Sequence, residues 1–351
     1  MIFKDLKVVE LAGVLAGPSV GMFFSELGAE VIKIENKATN GDVTRTWKLS
    51  SEDPNSNVSA YFSSVNYKKQ HVFKDLHHSK DLAEIKELIQ QADVVISNFK
   101  HGYDKKYGLD FQTLSQTNSG LILGEITGFT DDPNRVAFDL ILQAESGIMS
   151  MNGQADGPPT KMPIALIDVL AGHQLKEGIL CALLEQVKTG KGKHVNVSLY
   201  DTAIASLANQ ASNWLMAGHL PSRIGSKHPN IAPYGEIFTT KDDYTITFAI
   251  GSDRQFINLC ELLLTDLNTH EKFESNTKRV THRKTLYDQL APIVNSFDFE
   301  FLNQGCLALQ IPMAKIKNLK EVFEDPYTQS LILEEEIDGV LTKRVKTVAF
   351  T

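Results

Sequence analysis

The feature that most constrains this chain is the alternation of short apolar runs with helical patterns through its first half. Four runs rich in Val, Ile and Leu are predicted as strands: KVVEL (7–11), EVIKIE (30–35), DVVISN (93–98) and GLILGEI (120–126). Helical patterns at 17–29 and 81–92 lie between them. Nearly continuous apolar strands that alternate with helices are typical of a parallel sheet covered by helices. We therefore expect an α/β fold.

The second half of the chain predicts a further, smaller unit. A long helix after residue 168 is followed by a strand at 193–199 and a helix at 201–215, and the segment 217–235 is rich in Gly, Pro, Ser and His, as linkers are. A strand at 244–250 and helical patterns at 253–264 and near 280–296 indicate an α+β unit. The predicted boundaries are 1–215 and 320–351 for a large domain, 216–224 for a linker and 225–319 for a small domain.

Composition excludes some function classes. The 351 residues carry 35 basic and 43 acidic side chains, a net charge of −8, which disfavours a general nucleic-acid binder but permits a local basic patch for a phosphorylated ligand. Cys181, Cys260 and Cys306 have no zinc or redox spacing, so we expect reduced core thiols in a cytoplasmic protein. We expect no metal site, and no signal peptide or apolar stretch of membrane-spanning length is visible.

One short motif raises a rival interpretation. GPSVG (17–21) matches the G-x-S-x-G nucleophile elbow of serine hydrolases and lies between a predicted strand and a predicted helix. Only 16 residues precede it, which leaves no room for the earlier strand that supplies the hydrolase oxyanion loop. We therefore favour a helix N-terminal role for Ser19. Neither the dinucleotide fingerprint nor the Walker spacing is present.

Asp168 is the residue most in need of an explanation. It stands between the apolar run 164–167 and the apolar start of the long helix, where carboxylates are rare unless they are paired or used. An ionised carboxylate there could cap the helix N-terminus. It could equally be a partly desolvated nucleophile. The residue pattern alone leaves both interpretations open.

The motifs of the chain, taken in order, resemble the family III CoA-transferases, which share their fold with α-methylacyl-CoA racemase. The matching segments cover most of the chain: 10–35, GDVTR (41–45), NYKKQHVFKDL (66–76), ADVVISNFKHG (92–102), YGLD (107–110), ITGF (126–129), FDLILQAESGIM (138–149), 163–201, HPNIAPYGEIFTTKDDY (228–244) and IPMAKI (311–316). The resemblance implies a Rossmann-like large domain with a parallel sheet, a smaller α+β domain, and an interlocked homodimer.

The resemblance also implies an activity. In transferases of this family the aspartate at the position of Asp168 is the covalent nucleophile. Asp168 is then expected to attack an acyl-CoA thioester and form a mixed anhydride, after which CoA forms an aspartyl-CoA thioester and finally passes to an acceptor carboxylate. CoA or acyl-CoA enters as a substrate, together with a carboxylic acid, and no permanently bound cofactor is expected.

Further site residues follow from the resemblance. On the CoA side they are Lys33, Arg45, Lys69, Asn98, Phe99 and Lys100, with solvated surface roles as the alternative for the three cations at 33, 45 and 69. On the substrate side they are Leu15, Asp139, His228, Tyr234 and Gly251. His228 could instead brace its own loop.

Departures from the family pattern bear on the substrate and on the alternatives. Formyl-CoA transferases carry Gln at the position of Leu15, Arg at that of Asn36, and a run of glycines where only Gly251 stands here, so an oxalate or formate substrate is not expected. Racemases of this fold place a His directly before an Asp, whereas Phe138 precedes Asp139. Racemisation therefore lacks its second acid/base group. A racemase and a catalytically inactive CoA-binding protein remain the alternative interpretations.

Overall fold

The structure is a computed structural model that describes all 351 residues. Its strands are β1 (Lys7–Glu10), β2 (Glu30–Asn36), β3 (Lys69–Lys74), β4 (Val94–Ser97), β5 (Ile122–Thr127), β6 (Lys193–Ser198), β7 (Tyr234–Thr239), β8 (Thr245–Ala249), β9 (Met313–Lys315), β10 (Ile332–Ile337) and β11 (Val340–Val345). Its helices are α1 (Ala16–Glu26), α2 (Ala60–Ser63), α3 (Ser79–Gln90), α4 (Tyr103–Tyr107), α5 (Phe111–Leu114), α6 (Asp139–Glu145), α7 (Ile148–Met151), α8 (Leu166–Thr189), α9 (Leu199–Ala205), α10 (Ala208–Ala217), α11 (Asp253–Leu262), α12 (Asn276–Thr281), α13 (Arg283–Val294), α14 (Phe299–Ala308), α15 (Leu319–Phe323) and α16 (Pro326–Gln329). Single 3₁₀ turns occur at Lys37–Thr39, Val43–Thr46 and Leu267–Thr269.

The chain forms two compact units. The first comprises Met1–Met149, Lys161–Leu220 and Tyr327–Thr351, and the second comprises Ser150–Thr160 and Pro221–Pro326. The domain boundaries expected from the sequence, with a large domain at 1–215 and 320–351 and a small domain at 225–319, stay a prediction.

The first unit is built on a six-stranded parallel sheet with the order β3-β2-β1-β4-β5-β6. Side chains alternate between its faces. Val8 and Val94 pack with α1 and α8, while Val9 and Val95 pack with α3. All four side chains are at most 2% exposed, which is the burial that a parallel sheet covered on both faces requires. The predicted α/β fold class is therefore confirmed.

The helices α1 and α8 pack unusually close together. A Cβ atom added at Gly172 of α8 would lie 2.4 Å from the Ser19 Oγ and 3.2 Å from the Ala16 carbonyl oxygen of α1. Ser19 itself donates its hydroxyl to the Ala16 carbonyl oxygen at 2.7 Å, inside the first turn of α1. Glycine at this crossing lets the second turn of α8 pack directly on the first turn of α1.

Several local predictions need correction. The strand β3 was not predicted, because its sequence KQHVFK has no clear alternation of polar and apolar side chains. The single helix expected at 201–215 is two helices, α9 and α10, with Ala208 at a φ of +48° at their junction. Cys260 and Cys306 are buried thiols, but Cys181 is exposed, so the expectation of three core cysteines is wrong for Cys181.

The second unit contains a three-stranded antiparallel sheet with the order β7-β8-β9. Its core is rich in aromatic side chains from the sheet and from α11, including Phe238, Phe248 and Phe256, each 1% exposed. A separate antiparallel hairpin, β10–β11, belongs to the first unit. Across the whole chain, no helix combines the length and apolarity needed to span a lipid bilayer.

Candidate active site

The main cavity of the first unit opens at the carboxyl ends of the parallel strands. It has a volume of about 810 Å³ and is lined by the segments that follow β1, β4 and β5, together with Asp168. The strand order reverses between β1 and β4. In open parallel sheets, ligands bind in the crevice at such a reversal, because the two neighbouring loops diverge there. The cavity is therefore the candidate active site.

Asp168 lies in this cavity as the third residue of α8. Its side chain is half-buried, and its carboxylate has neither a hydrogen bond nor an ion pair with any other residue. Burial, together with the smaller effect of the negative charge of Asp139, raises the pKa of Asp168 from its ordinary value of 3.8 to about 7. A position in the first turn of a helix would favour the anion, but desolvation outweighs that effect here.

The N-terminus of α8 is capped by another carboxylate. Ala165 is the N-cap residue and provides no side-chain hydrogen bond. The Oδ1 atom of Asp139 accepts the Ile167 N–H at 2.8 Å, and its Oδ2 atom accepts from the Gln143 side chain at 2.7 Å. The capping interpretation of Asp168 is therefore wrong, since Asp139 performs that role. Asp168 is left as a desolvated carboxylate without a structural partner.

The loop after β4 forms one wall of the cavity. The Asn98 Oδ1 atom accepts the Gly13 N–H at 3.0 Å, and its Nδ2 group donates to the Gly13 carbonyl oxygen at 2.9 Å. Phe99 and the exposed Lys100 follow in the same wall, and Leu15, the N-cap of α1, also lines the cavity. Asn98, Phe99, Lys100, Leu15 and Asp139 thus all line the cavity that contains Asp168.

Lys33, Arg45 and Lys69 have another role. They are 1%, 2% and 7% exposed, and they do not line the cavity. Lys33 and Lys69 both pair with Glu10, at 2.9 and 2.8 Å, and Arg45 pairs with Glu35 at 2.7 Å. The structure contradicts both interpretations of these three cations. They are too deeply buried to be solvated surface residues, and they lie outside the cavity in which CoA contacts were expected. Lys33 and Lys69 join β2 and β3 to β1 through Glu10, and Arg45 joins the 3₁₀ turn Val43–Thr46 to β2 through Glu35.

A smaller cavity of about 240 Å³ adjoins the main one and shares Phe99 and Tyr103 with it. Part of its wall is aromatic and includes Tyr107 and His77, and the rest is formed by apolar, amide and charged side chains. The rings of His77 and Tyr107 meet edge to face, with centroids 5.6 Å apart. The sequence indicated only a solvated turn at His77. Its contact with Tyr107 depends on the loop after β4, which no local pattern predicts.

Cationic side chains border the main cavity. Lys100 and Lys105 are exposed and have no ion-pair partner. The Arg135 guanidinium lies 4.2 Å from the centroid of the Phe129 ring and pairs with Glu145. Two free ammonium groups at the rim give an acidic protein a local site of attraction for a polyanionic ligand.

Tyr61 was missed by the sequence analysis. Burial raises the pKa of its phenol, and the negative charges of Asp168 and Asp139 raise it further, which places it in the electrostatic environment of both carboxylates. Its ring packs edge to face on Trp47, with centroids 5.1 Å apart. The only available signal was its place between two matched motifs.

No group of three or more His, Cys, Asp or Glu side chains is close enough to hold a metal ion.

His228, Tyr234 and Gly251 belong to the second unit. The His228 Nδ1 atom accepts the Asn230 N–H at 3.1 Å, and its backbone N–H donates to the Tyr234 carbonyl oxygen at 2.9 Å. The two rings pack with centroids 5.1 Å apart. These contacts support the loop-bracing alternative for His228. The Gly251 N–H donates to the side chain of Gln255 at 2.8 Å, which fixes the turn before α11.

Arginines fix the same loop from the helical side. Arg279 donates to the Ala232 carbonyl oxygen at 2.8 Å, and Arg283 donates to the His228 carbonyl oxygen at 2.6 Å and pairs with Glu236 at 3.1 Å. The loop that carries His228 and Tyr234 is therefore rigid within its own unit.

Comparison with known proteins identifies the family. The sequence matches CoA-transferase family III over residues 3–351. It is 35% identical to a succinate–glutarate CoA-transferase of Agrobacterium fabrum (98% of this chain, 88% of that protein) and 32% identical to the human succinyl-CoA:glutarate CoA-transferase (95% and 76%). An acetyl-CoA:oxalate CoA-transferase of Acetobacter aceti is 35% identical over 81% of this chain and 72% of its own length.

Solved structures agree with the sequence matches. A crystal structure of a CAIB/BAIF family protein from Brucella suis superimposes with a TM-score of 0.84 at 35% identity, over 99% of this chain and 92% of that one. The protein Rv3272 of Mycobacterium tuberculosis reaches the same TM-score at 26% identity, with the same shares of both chains. The chain therefore belongs to CoA-transferase family III and is an enzyme that transfers CoA between acids.

Proposed function

We propose that this enzyme moves CoA from an acyl-CoA to a carboxylic acid through covalent intermediates on Asp168. The observation that carries the proposal is an unpartnered, desolvated carboxylate in the main cavity, whose capping role is taken by Asp139. Such a group is costly to the fold and is typical of functional sites. A carboxylate with a pKa of about 7 is also more basic, and hence more nucleophilic, than an ordinary aspartate.

The proposed reaction consists of four substitutions at carbonyl carbon. The Asp168 carboxylate attacks the donor thioester and expels CoA thiolate, which leaves a mixed anhydride. The thiolate attacks the aspartyl carbonyl, releases the donor acid and forms an aspartyl-CoA thioester. The acceptor carboxylate then expels CoA again to give a second anhydride, and CoA attacks its acyl carbonyl and regenerates Asp168. Each nucleophile and leaving group is an anion, so no general acid is required.

The two connected cavities suit the two ends of CoA. We place the thioester in the larger cavity near Asp168, and the adenine in the smaller one against the rings of Phe99, Tyr103 and Tyr107. A base stacked on an aromatic side chain gains about 1–3 kcal/mol. Lys100 and Lys105 at the rim are the proposed phosphate partners. Asn98 contributes by fixing the backbone of the turn at Gly13.

Dicarboxylic acids longer than oxalate are the substrate class that we favour. Three relatives are named for succinate, glutarate or mesaconate. Leu15 gives the cavity wall an apolar side chain, which suits the methylene groups of such acids better than it suits oxalate. The prediction against oxalate is tested directly by a turnover panel of succinyl-, glutaryl-, acetyl- and oxalyl-CoA with the corresponding free acids. A preference for oxalate would contradict it.

The covalent route is tested by intact-protein mass spectrometry after mixing with the same acyl-CoAs, followed by hydroxylamine. We expect an acyl or CoA adduct on the wild type, and its conversion by hydroxylamine to a hydroxamate on the peptide that contains Asp168. The matched variant Asp168→Asn keeps the side-chain volume and should form no adduct. Transfer at a wild-type rate by Asp168→Asn would refute the proposal.

Self-association is proposed for one apolar surface. The ten-residue helix α10 buries no residue, and Trp214, Leu215 and Met216 are 53%, 78% and 89% exposed. A ten-residue helix without a packed face is marginal in water, and a patch of this kind marks an interaction surface. We propose that a second copy of the chain covers it in a homodimer.

A further inference from the structure

The turn that leads from β1 into α1 is strained at Val14. Its φ is +71°, a conformation that glycine adopts readily but that crowds a β-branched side chain. Val14 also lines the cavity that contains Asp168, together with Gly13, Leu15 and Ala16. Strained backbone persists only where the surroundings enforce it, and it is concentrated at functional sites.

Three successive residues of this turn are held by side chains from β2 and from the segments that follow β2 and β4. Lys33 of β2 donates to the Ala12 carbonyl oxygen at 2.8 Å, and Asn98 binds both backbone groups of Gly13. The Val14 N–H donates to the Asp42 Oδ2 atom at 3.1 Å. The backbone is therefore fixed at each residue that precedes the cavity wall.

Asp42 is itself rigidly placed. Its side chain is 2% exposed and pairs with Lys33 at 3.2 Å. Its Oδ1 atom accepts from the Thr44 N–H at 3.0 Å and from the Thr44 hydroxyl at 2.8 Å. A Cβ atom added at Gly13 would lie 3.3 Å from the Asp42 Oδ2 atom, so the contact leaves little space for movement. An anchored anion of this kind can hold a strained amide group in place.

We propose that Asp42 is a positioning residue for CoA transfer and that it acts through Val14. It enforces the left-handed conformation of Val14, and this fixes the wall formed by Leu15 and Ala16 relative to Asp168. The inference rests on the proposed function. Near-attack geometry requires the reacting atoms within a few tenths of an ångström, and a displacement of about 1 Å lowers the rate about 100-fold.

The test compares Asp42→Ala with the double variant Asp42→Ala/Val14→Gly. We expect Asp42→Ala to lower kcat by about 10- to 100-fold with little change in the KM for acyl-CoA, because the adenine and phosphate contacts lie elsewhere. Glycine takes the positive φ without strain, so Val14→Gly should restore most of the lost kcat. A residue that only stabilised the fold would not be rescued in this way.

Two further variants complete the design. Thr46→Val removes a hydrogen bond from the hydroxyl of Thr46 to the Val43 carbonyl oxygen in the same 3₁₀ turn, and because it leaves Asp42 and Val14 untouched it should keep the wild-type kcat. Val14→Pro excludes the positive φ while Asp42 and its ion pair remain, and it should lose kcat as Asp42→Ala does. It therefore serves as the test if Asp42→Ala does not fold, as judged by circular dichroism.

The outcomes separate the two proposals. A wild-type enzyme that turns over without any adduct on Asp168 contradicts the proposed function. Adduct formation by the wild type, combined with wild-type kcat in either Asp42→Ala or Val14→Pro, overturns the role of Asp42. A double variant as slow as Asp42→Ala would also overturn it.

Discussion

The carboxyl group of Asp168 should make the folded protein less stable as it ionises. Its pKa is about 7 in the folded protein and about 3.8 in the unfolded chain, so the folded state binds its proton more tightly. The resulting penalty is absent below about pH 4, grows as the pH rises, and is complete above about pH 7. At 1.36 kcal/mol for each pKa unit, the full difference corresponds to about 4 kcal/mol as an upper value.

The perturbation that isolates this penalty is Asp168→Asn, which cannot ionise. We expect the variant to be more stable than the wild type by up to about 4 kcal/mol at pH 8, but by only about 2 kcal/mol at pH 5. The assay is urea denaturation of both proteins at the two pH values and at one fixed protein concentration, since dimerisation would make stability depend on concentration.

Asp5→Asn, at an exposed site, is the matched control and should show no such dependence. A stability difference between Asp168→Asn and the wild type that is the same at pH 5 and pH 8 would refute the reasoning.

The same pKa also predicts that kcat/KM rises about tenfold per pH unit below pH 7 and levels off above it, because only the carboxylate is nucleophilic. A flat profile between pH 5 and pH 7 would contradict the assignment of Asp168.

Three further predictions follow from the surroundings of Asp168 and from the exposed helix. Asp139→Asn keeps an acceptor for the Ile167 N–H but removes a negative charge, so the midpoint of the pH profile of kcat/KM should move to lower pH; an unchanged midpoint would contradict the role of that charge. Gly172→Val should lower the free energy of unfolding by about 1–3 kcal/mol in urea denaturation, because its side chain would meet Ser19 and the Ala16 carbonyl oxygen; unchanged stability would show that the two helices can separate freely. Trp214→Asp combined with Met216→Asp should give a monomer by light scattering, whereas Leu319→Asp, at a residue 72% exposed, should leave a dimer; a monomeric wild type would refute the proposed interface.

The sequence by itself determined the order of the main elements, the parallel α/β fold class and the family, and it singled out Asp168 as a carboxylate in need of an explanation. These properties depend on local patterns, because apolar periodicity and motif spacing are carried by residues close in the chain. The same reasoning could not assign the charged residues. Lys69 was predicted to contact CoA, yet its partner is Glu10, 59 positions earlier, which the neighbouring strands bring within 2.8 Å.

The tertiary structure alone decided which carboxylate caps α8 and which is left free. Asp139 and Ile167 are 28 residues apart, and so are Val14 and Asp42, so neither hydrogen bond has a signal in the local sequence. The pKa of Asp168 likewise depends on burial beneath segments that are distant in the chain. The pKa of Asp168, the cap of α8 and the backbone strain at Val14 all depend on contacts between residues that are distant in the chain. The fold class, in contrast, follows from the apolar pattern within each segment.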